Sequence, residues 1–192
     1  MKSKKTATWS NVKASLSSMD HTRLVGVIRD LYEASTANRR FLHARFVPAA
    51  AVLDEYRALV ARAVFPDPFS QRPISLRDAA AAITDYKRST GDLAGVVDLL
   101  LTFVEAGTEQ AADLGYGDEA YFSTLERQLA AAVSMLDALP AEARDKAQAR
   151  FRRLAEYQDQ IGWGYGDYLA DTAARVQPRK IKSARAMGRH AV

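Results

Sequence analysis

Residues 93–106 read LAGVVDLLLTFVEA. Wound as a helix, this run is apolar in almost every direction. Gly95, Asp98, Thr102 and Glu105 alone interrupt the cover, and their spacing of three and four puts them on one stripe. A helix of this kind belongs in the middle of a fold, so the chain is expected to be a bundle built around it. Asp92 can cap its start and Gly107 is its expected stop. With Asp98 and Thr102 inside it, the run is too short and too polar to span a bilayer.

Helical spacing continues on both sides. Trp9, Val12 and Leu16 form a short first helix, and Ser17–Asp20 read as a capping box for a second, carrying Leu24, Ile28, Leu31 and Tyr32 to about Ala37. Asn38 is the expected cap of a third helix, and Pro48 suits the first turn of a fourth, continued by Leu53, Tyr56, Leu59 and Val60. Three prolines make 65–74 a loop. Ser75 to Asp78 is a second capping box, before a face of Ala79, Ala82, Ile83 and Tyr86 small enough for close helix approach. Beyond Gly107, Tyr121 to Leu139 and Ala147 to Ile161 step by four and three on either side of Pro140, an antiparallel hairpin. A last helix is expected from about Asp167 to Val176. No period-two run appears, so no sheet is expected. The expectation is an all-α irregular bundle of eight or nine helices made of antiparallel hairpins. The tetrapeptide Gly-Tyr-Gly-Asp occurs at 115–118 and again at 164–167, a helical-repeat length apart, which keeps a solenoid-like stack open.

Charge divides the chain. All 23 acids lie in 20–171, which carries 17 basic residues and a net charge of −6; the flanking segments contribute +10. The division is a basic arm at 1–8, one helical domain at 9–177 and a basic tail at 178–192. A nucleic acid would meet the arms, weakly and with salt sensitivity, rather than the body. Cysteine is absent, which excludes thiol chemistry and disulfides and suits the reducing cytoplasm. No apolar targeting segment follows the basic N-terminus, so a cytoplasmic chain with no membrane contact is expected.

Few residues suggest chemistry. His21, His43 and His190 are far apart and form no metal-ligand pair. The glycines of 162–166 follow a helix rather than a strand, against the context a dinucleotide loop needs. An acidic edge of Asp85, Asp98 and Glu105 could serve proton transfer or a divalent ion, or could simply pair with arginines from neighbouring helices. Arg39, Arg40 and Arg45 make a basic patch that could hold an anion or pair with the acidic body. No cofactor motif and no resident metal are expected.

The runs Leu24–Tyr32 and Asn38–Phe46 resemble the opening of an uncharacterised bacterial family of small helical proteins, domain of unknown function 6155. Asp85–Asp92, Asp98–Leu99, Val104–Gly107 and Tyr121–Glu126 are similar to that family's middle. The resemblance covers roughly 10–170; it implies an all-helical fold and no known activity, with the basic tail as an extension. Three readings follow. The first is a non-catalytic module that binds a protein partner. The second is a nucleic-acid-associated protein acting through its tails. The third is an enzyme using Asp98 and Glu105.

Overall fold

A computed structural model describes residues 8–47, 49–70, 72–162 and 164–177. The tail, the arm apart from Thr8, and the expected first-turn role of Pro48 lie outside these residues. The described residues form nine α-helices and no strand, as the spacing predicts. They are α1 (Trp9–Ser17), α2 (His21–Ala34), α3 (Thr36–Phe46), α4 (Ala49–Val64), α5 (Leu76–Thr90), α6 (Leu93–Leu114), α7 (Glu119–Met135), α8 (Ala141–Ala155) and α9 (Tyr165–Val176). Single turns of 3-10 helix follow at Pro68–Ser70 and Leu136–Ala138. No helix among them is long and apolar enough to cross a membrane.

Helix α6 is the axis. Val96, Val97, Leu99, Leu100, Leu101, Phe103 and Val104 are all buried, and α4, α5, α7 and α8 pack around it. The later helices pair as antiparallel hairpins, but not across Pro140 as the spacing suggests: α7 turns back on α6 and α8 pairs with α9, because the turn at Leu136–Pro140 carries α8 away from α7. In α4–α5, the Ser75 amide returns to the Ala63 carbonyl at 2.8 Å. In α6–α7, the Tyr121 hydroxyl donates to the Gly107 carbonyl at 3.0 Å. In α8–α9, Gln148 reaches the Val176 carbonyl at 2.7 Å and Gln158 reaches Asp167 at 3.1 Å. The first members, α4, α6 and α8, pack side by side, and α9 packs on α7. Each of these hairpins packs on the next along the chain.

Several boundaries differ from the sequence expectation, each for a local reason. Gly107 does not stop α6, which runs on to Leu114 and closes at Gly115 with φ 62°. A Cβ at Gly107 would sit 2.5 Å from a Leu125 methyl, so this glycine serves the close approach of α7 rather than a helix end. Ser35, not Asn38, caps α3, with its hydroxyl accepting from the Asn38 amide at 3.0 Å; Asn38 instead reaches back to the Leu31 carbonyl. The cap of α2 is Asp20 itself, accepting from Arg23 at 2.8 Å. Asp92 makes no cap bond because its carboxylate accepts from the buried Tyr86 hydroxyl at 2.7 Å. Helix α8 ends at Ala155, short of Ile161, and α9 starts at Tyr165, so the two tetrapeptides part company. Asp118 caps α7, while Asp167 lies inside α9 and Tyr165 is fully buried against Phe122 and hydrogen-bonded to Thr108.

Helices α1 and α2 contribute no buried residue. Their apolar stripes lie open, and Trp9, Val25, Ile28 and Leu31 are each about half exposed or more.

Adding a methyl at Gly107 gains helix propensity but overpacks the α6–α7 contact. Gly107→Ala is expected to lower stability by about 1–3 kcal/mol. Gly26→Ala, on open α2 with nothing near its Cβ, should raise helicity and cost nothing. Urea titration and circular dichroism of the two variants check this.

Candidate functional site

The polar stripe of α6 meets α8 and α4. On α8, Ala147, Phe151 and Leu154 are buried, and Arg150 shares their face. Its Nε donates to Glu105 at 2.7 Å and its Nη1 to the Asp98 carboxylate and carbonyl, both at 3.0 Å. Nη2 donates to Thr102 at 3.0 Å and to Glu105 at 2.6 Å. Every N–H of the guanidinium has an acceptor. From α4, Arg57 donates through Nε at 2.6 Å and Nη2 at 3.0 Å to Asp98, and through Nη1 to Asp54. The hydrogen bond it gives to Asp98 pushes the Arg57 pKa up. Three helices are joined by one charged network whose central side chains are only 16–28% exposed.

This geometry governs what the edge can do. Asp98 receives two guanidinium groups and Glu105 receives one in a bidentate fork, so a cation must displace an arginine to reach either. Asp85 is not part of the network. It takes a bond from Arg88 at 2.9 Å and lines a separate cleft with Asp78, Ala82 and Arg40. The three arginines of the expected patch also separate. Arg39 donates to the Tyr32 carbonyl and stands 5.9 Å over the Tyr32 ring, Arg40 faces α5, and Arg45 is exposed. Successive helix positions turn by about 100°, so neighbours in sequence point apart. Among the described residues no group of three or more His, Asp or Glu side chains could hold a metal ion.

Two other concave surfaces are lined by several large apolar side chains. The first is a cleft of about 390 Å³ beside the arginine network, between α4, α6 and α8. Leu53, Val97, Leu101 and Leu139 give it an apolar floor, and Arg57, Glu142 and Lys146 stand around it. Its far wall is fixed by Arg144, which donates to the carbonyls of Leu136, Asp137 and Leu139 and so ties α8 to the end of α7.

The second is a groove of about 330 Å³ between α2 and α3. Val25, Ile28, Tyr32, Leu42, Phe46 and Val47 line it. Phe46 is 77% exposed and Val25 50%. Polar bonds hold its two walls together. Tyr32 Oη and His43 Nε2 are 3.0 Å apart, and Asn38 and Arg39 bond back to the carbonyls of Leu31 and Tyr32. Residues 21–46 hold Arg23, Arg29, Arg39, Arg40 and Arg45 against Asp30 and Glu33, a net +3 on an otherwise acidic body.

Sequence reasoning found Asp98 and Glu105 but missed Arg150, Arg57 and the groove. Arg150 was legible as a cation on a core-facing stripe, three residues after Ala147 and four before Leu154. The groove carries no such signal, because α2 has the same apolar spacing as a buried helix. No protein-family model matches the chain, and no curated protein or solved structure is significantly similar to it.

Farther along α6, Glu109 follows Glu105 and precedes Asp113 at one-turn spacing. Partial burial, and then the charges of Glu105 and Asp113, push its pKa up. A carboxyl whose folded pKa exceeds its unfolded value destabilises the fold above that pKa and ceases to do so below the unfolded one. Glu109→Gln should therefore raise the melting temperature at pH 7. The gain should shrink as pH falls toward about 4, the unfolded glutamate range. Thermal melts of both proteins across that window check the sign.

Proposed function

We propose that the protein is a non-catalytic helical interaction module, and that the α2–α3 groove is where its partner docks. The observation that carries the reading is the exposed apolar lining of the groove on a hairpin whose two helices are joined by their own polar bonds. Single exposed apolar residues are ordinary, but a contiguous concave patch is a mark of an interaction site. Charge selects the occupant. A second copy would bring another +3 hairpin against the first, whereas an amphipathic helix with acidic flanks complements it. Such a helix lays side chains at i, i+3, i+4 and i+7 into a two-helix groove.

The resemblance to domain of unknown function 6155 belongs to this proposal. Two of the runs that carry it, Leu24–Tyr32 and Asn38–Phe46, are the walls of the groove. The cysteine-free composition supports a cytoplasmic setting, and the family resemblance supports a bacterial one. The enzyme reading loses support, because the carboxylates it would use are already held by arginines. Weak nucleic-acid binding by the tails stays compatible with the module and would add to it.

The test is fluorescence anisotropy with two labelled amphipathic helical peptides sharing one apolar stripe, one flanked by glutamates and one by lysines. The acidic peptide should bind the full chain. Phe46→Asp should cost at least about 2 kcal/mol of that binding, as loss of a central aromatic anchor does, with an unchanged melting temperature. Equal binding of both peptides, or of neither, overturns the proposal. A dimer in light scattering that Phe46→Asp dissolves would give the groove to a second copy and overturn the occupant named here.

A further inference from the structure

The cleft between α4, α6 and α8 is independent of the groove, and its lining has a chemical direction. The floor is apolar and comes from all three helices and the turn before α8, through Leu53, Val97, Leu101, Ala147 and Leu139. Two of the acids beside it are committed. Asp98 accepts from Arg57 and Arg150, and Glu105 is forked by Arg150. Spare capacity lies on the donors. Arg150 has none left, but Arg57 keeps one N–H on each terminal nitrogen. Among the described residues Lys146, on the facing wall, pairs with Glu142 of its own helix alone, one turn away and well exposed. An exposed pair of that kind yields its ammonium at little cost. Asp98 and Asp54 hold Arg57 in place, so its outward N–H groups are fixed before anything arrives.

We propose that this cleft binds a small amphipathic carboxylate of the fatty-acid or aryl-alkanoate type. Its apolar body covers the floor, and its carboxylate lies between Arg57 and Lys146. The volume of about 390 Å³ falls within the range of small-molecule sites, which are mainly apolar with a few placed polar groups. A ligand cation would find Asp98 already filled and only Glu142, paired with Lys146, left to accept it, and a neutral alcohol would leave the two cations unmatched.

The test uses the full chain with decanoate, decanol and decylamine, all below their micelle concentrations. Calorimetry should show saturable binding of decanoate, and decanoate alone should raise the melting temperature. Lys146→Glu changes an exposed side chain and so leaves folding intact; it should weaken decanoate at least tenfold. Ala143→Phe should fill the cleft and abolish binding, and its melting curve reports that it is folded. Both variants should keep any helix binding at the α2–α3 groove, so the two proposals fail separately. No decanoate binding, equal binding of all three compounds, or binding that survives both variants overturns the assignment.

Discussion

The polar stripe on α6 is the constraint around which the rest is arranged. A helix surrounded on four sides cannot leave Asp98, Thr102 and Glu105 facing hydrocarbon, because an unpaired buried carboxylate costs several kcal/mol. Arg150 answers that demand with all of its N–H groups, and Arg57 answers the remainder of Asp98. The arrangement fixes which way α8 and α4 face. Once Arg150 points at α6, Ala147, Phe151 and Leu154 are directed into the same seam. Apolar burial supplies most of the stability, as in any domain of this size, but it is non-directional. The guanidinium geometry adds rotational register to it.

The same network divides the molecule into a built part and an open part. From α4 onward, each hairpin packs on its neighbours and large aromatics fill the seams, Tyr86 under Gly95 and Tyr165 against Phe122. Among the described residues the N-terminal helices join the body mainly through α3, which packs on α5 and α4, while α2 rests on α3. The hairpin α2–α3 therefore keeps its outer apolar face uncovered by the other described residues. It is basic where the body is acidic, and its internal bonds are polar rather than packed. A hairpin held in that way can keep a fixed shape while presenting apolar side chains, which is what a docking element requires.

Most of the fold was legible because helical spacing is a local property. Leu93 to Ala106 announced a central helix, and Ser75 and Gly91 sit where caps should be. What failed was tertiary in origin. Gly107 looks like a stop and is in fact a contact point, since the atoms that need its missing side chain come from Leu125, 18 positions later. Asn38 and Asp92 have cap-forming side chains, but a carbonyl of the preceding helix and a buried tyrosine hydroxyl compete for them. The candidate site followed the same rule. Asp98 and Glu105 stood out through their own neighbours in sequence. Their arginine partners lie 41 to 52 positions away, so whether the edge was a reactive pair or a structural one depended on contacts the sequence does not order.

A double-mutant cycle on Arg150 and Glu105, read by urea unfolding, tests the clamp directly. Arg150→Met alone strands Glu105 and part of Asp98, and should cost roughly 2–3 kcal/mol, the scale of lost hydrogen bonds to charged groups. Combining it with Glu105→Leu removes the stranded charge, so the double variant should be more stable than Arg150→Met by about 1 kcal/mol or more. Single costs within about 0.5 kcal/mol of zero that simply add would mark these as ordinary surface charges and contradict the account.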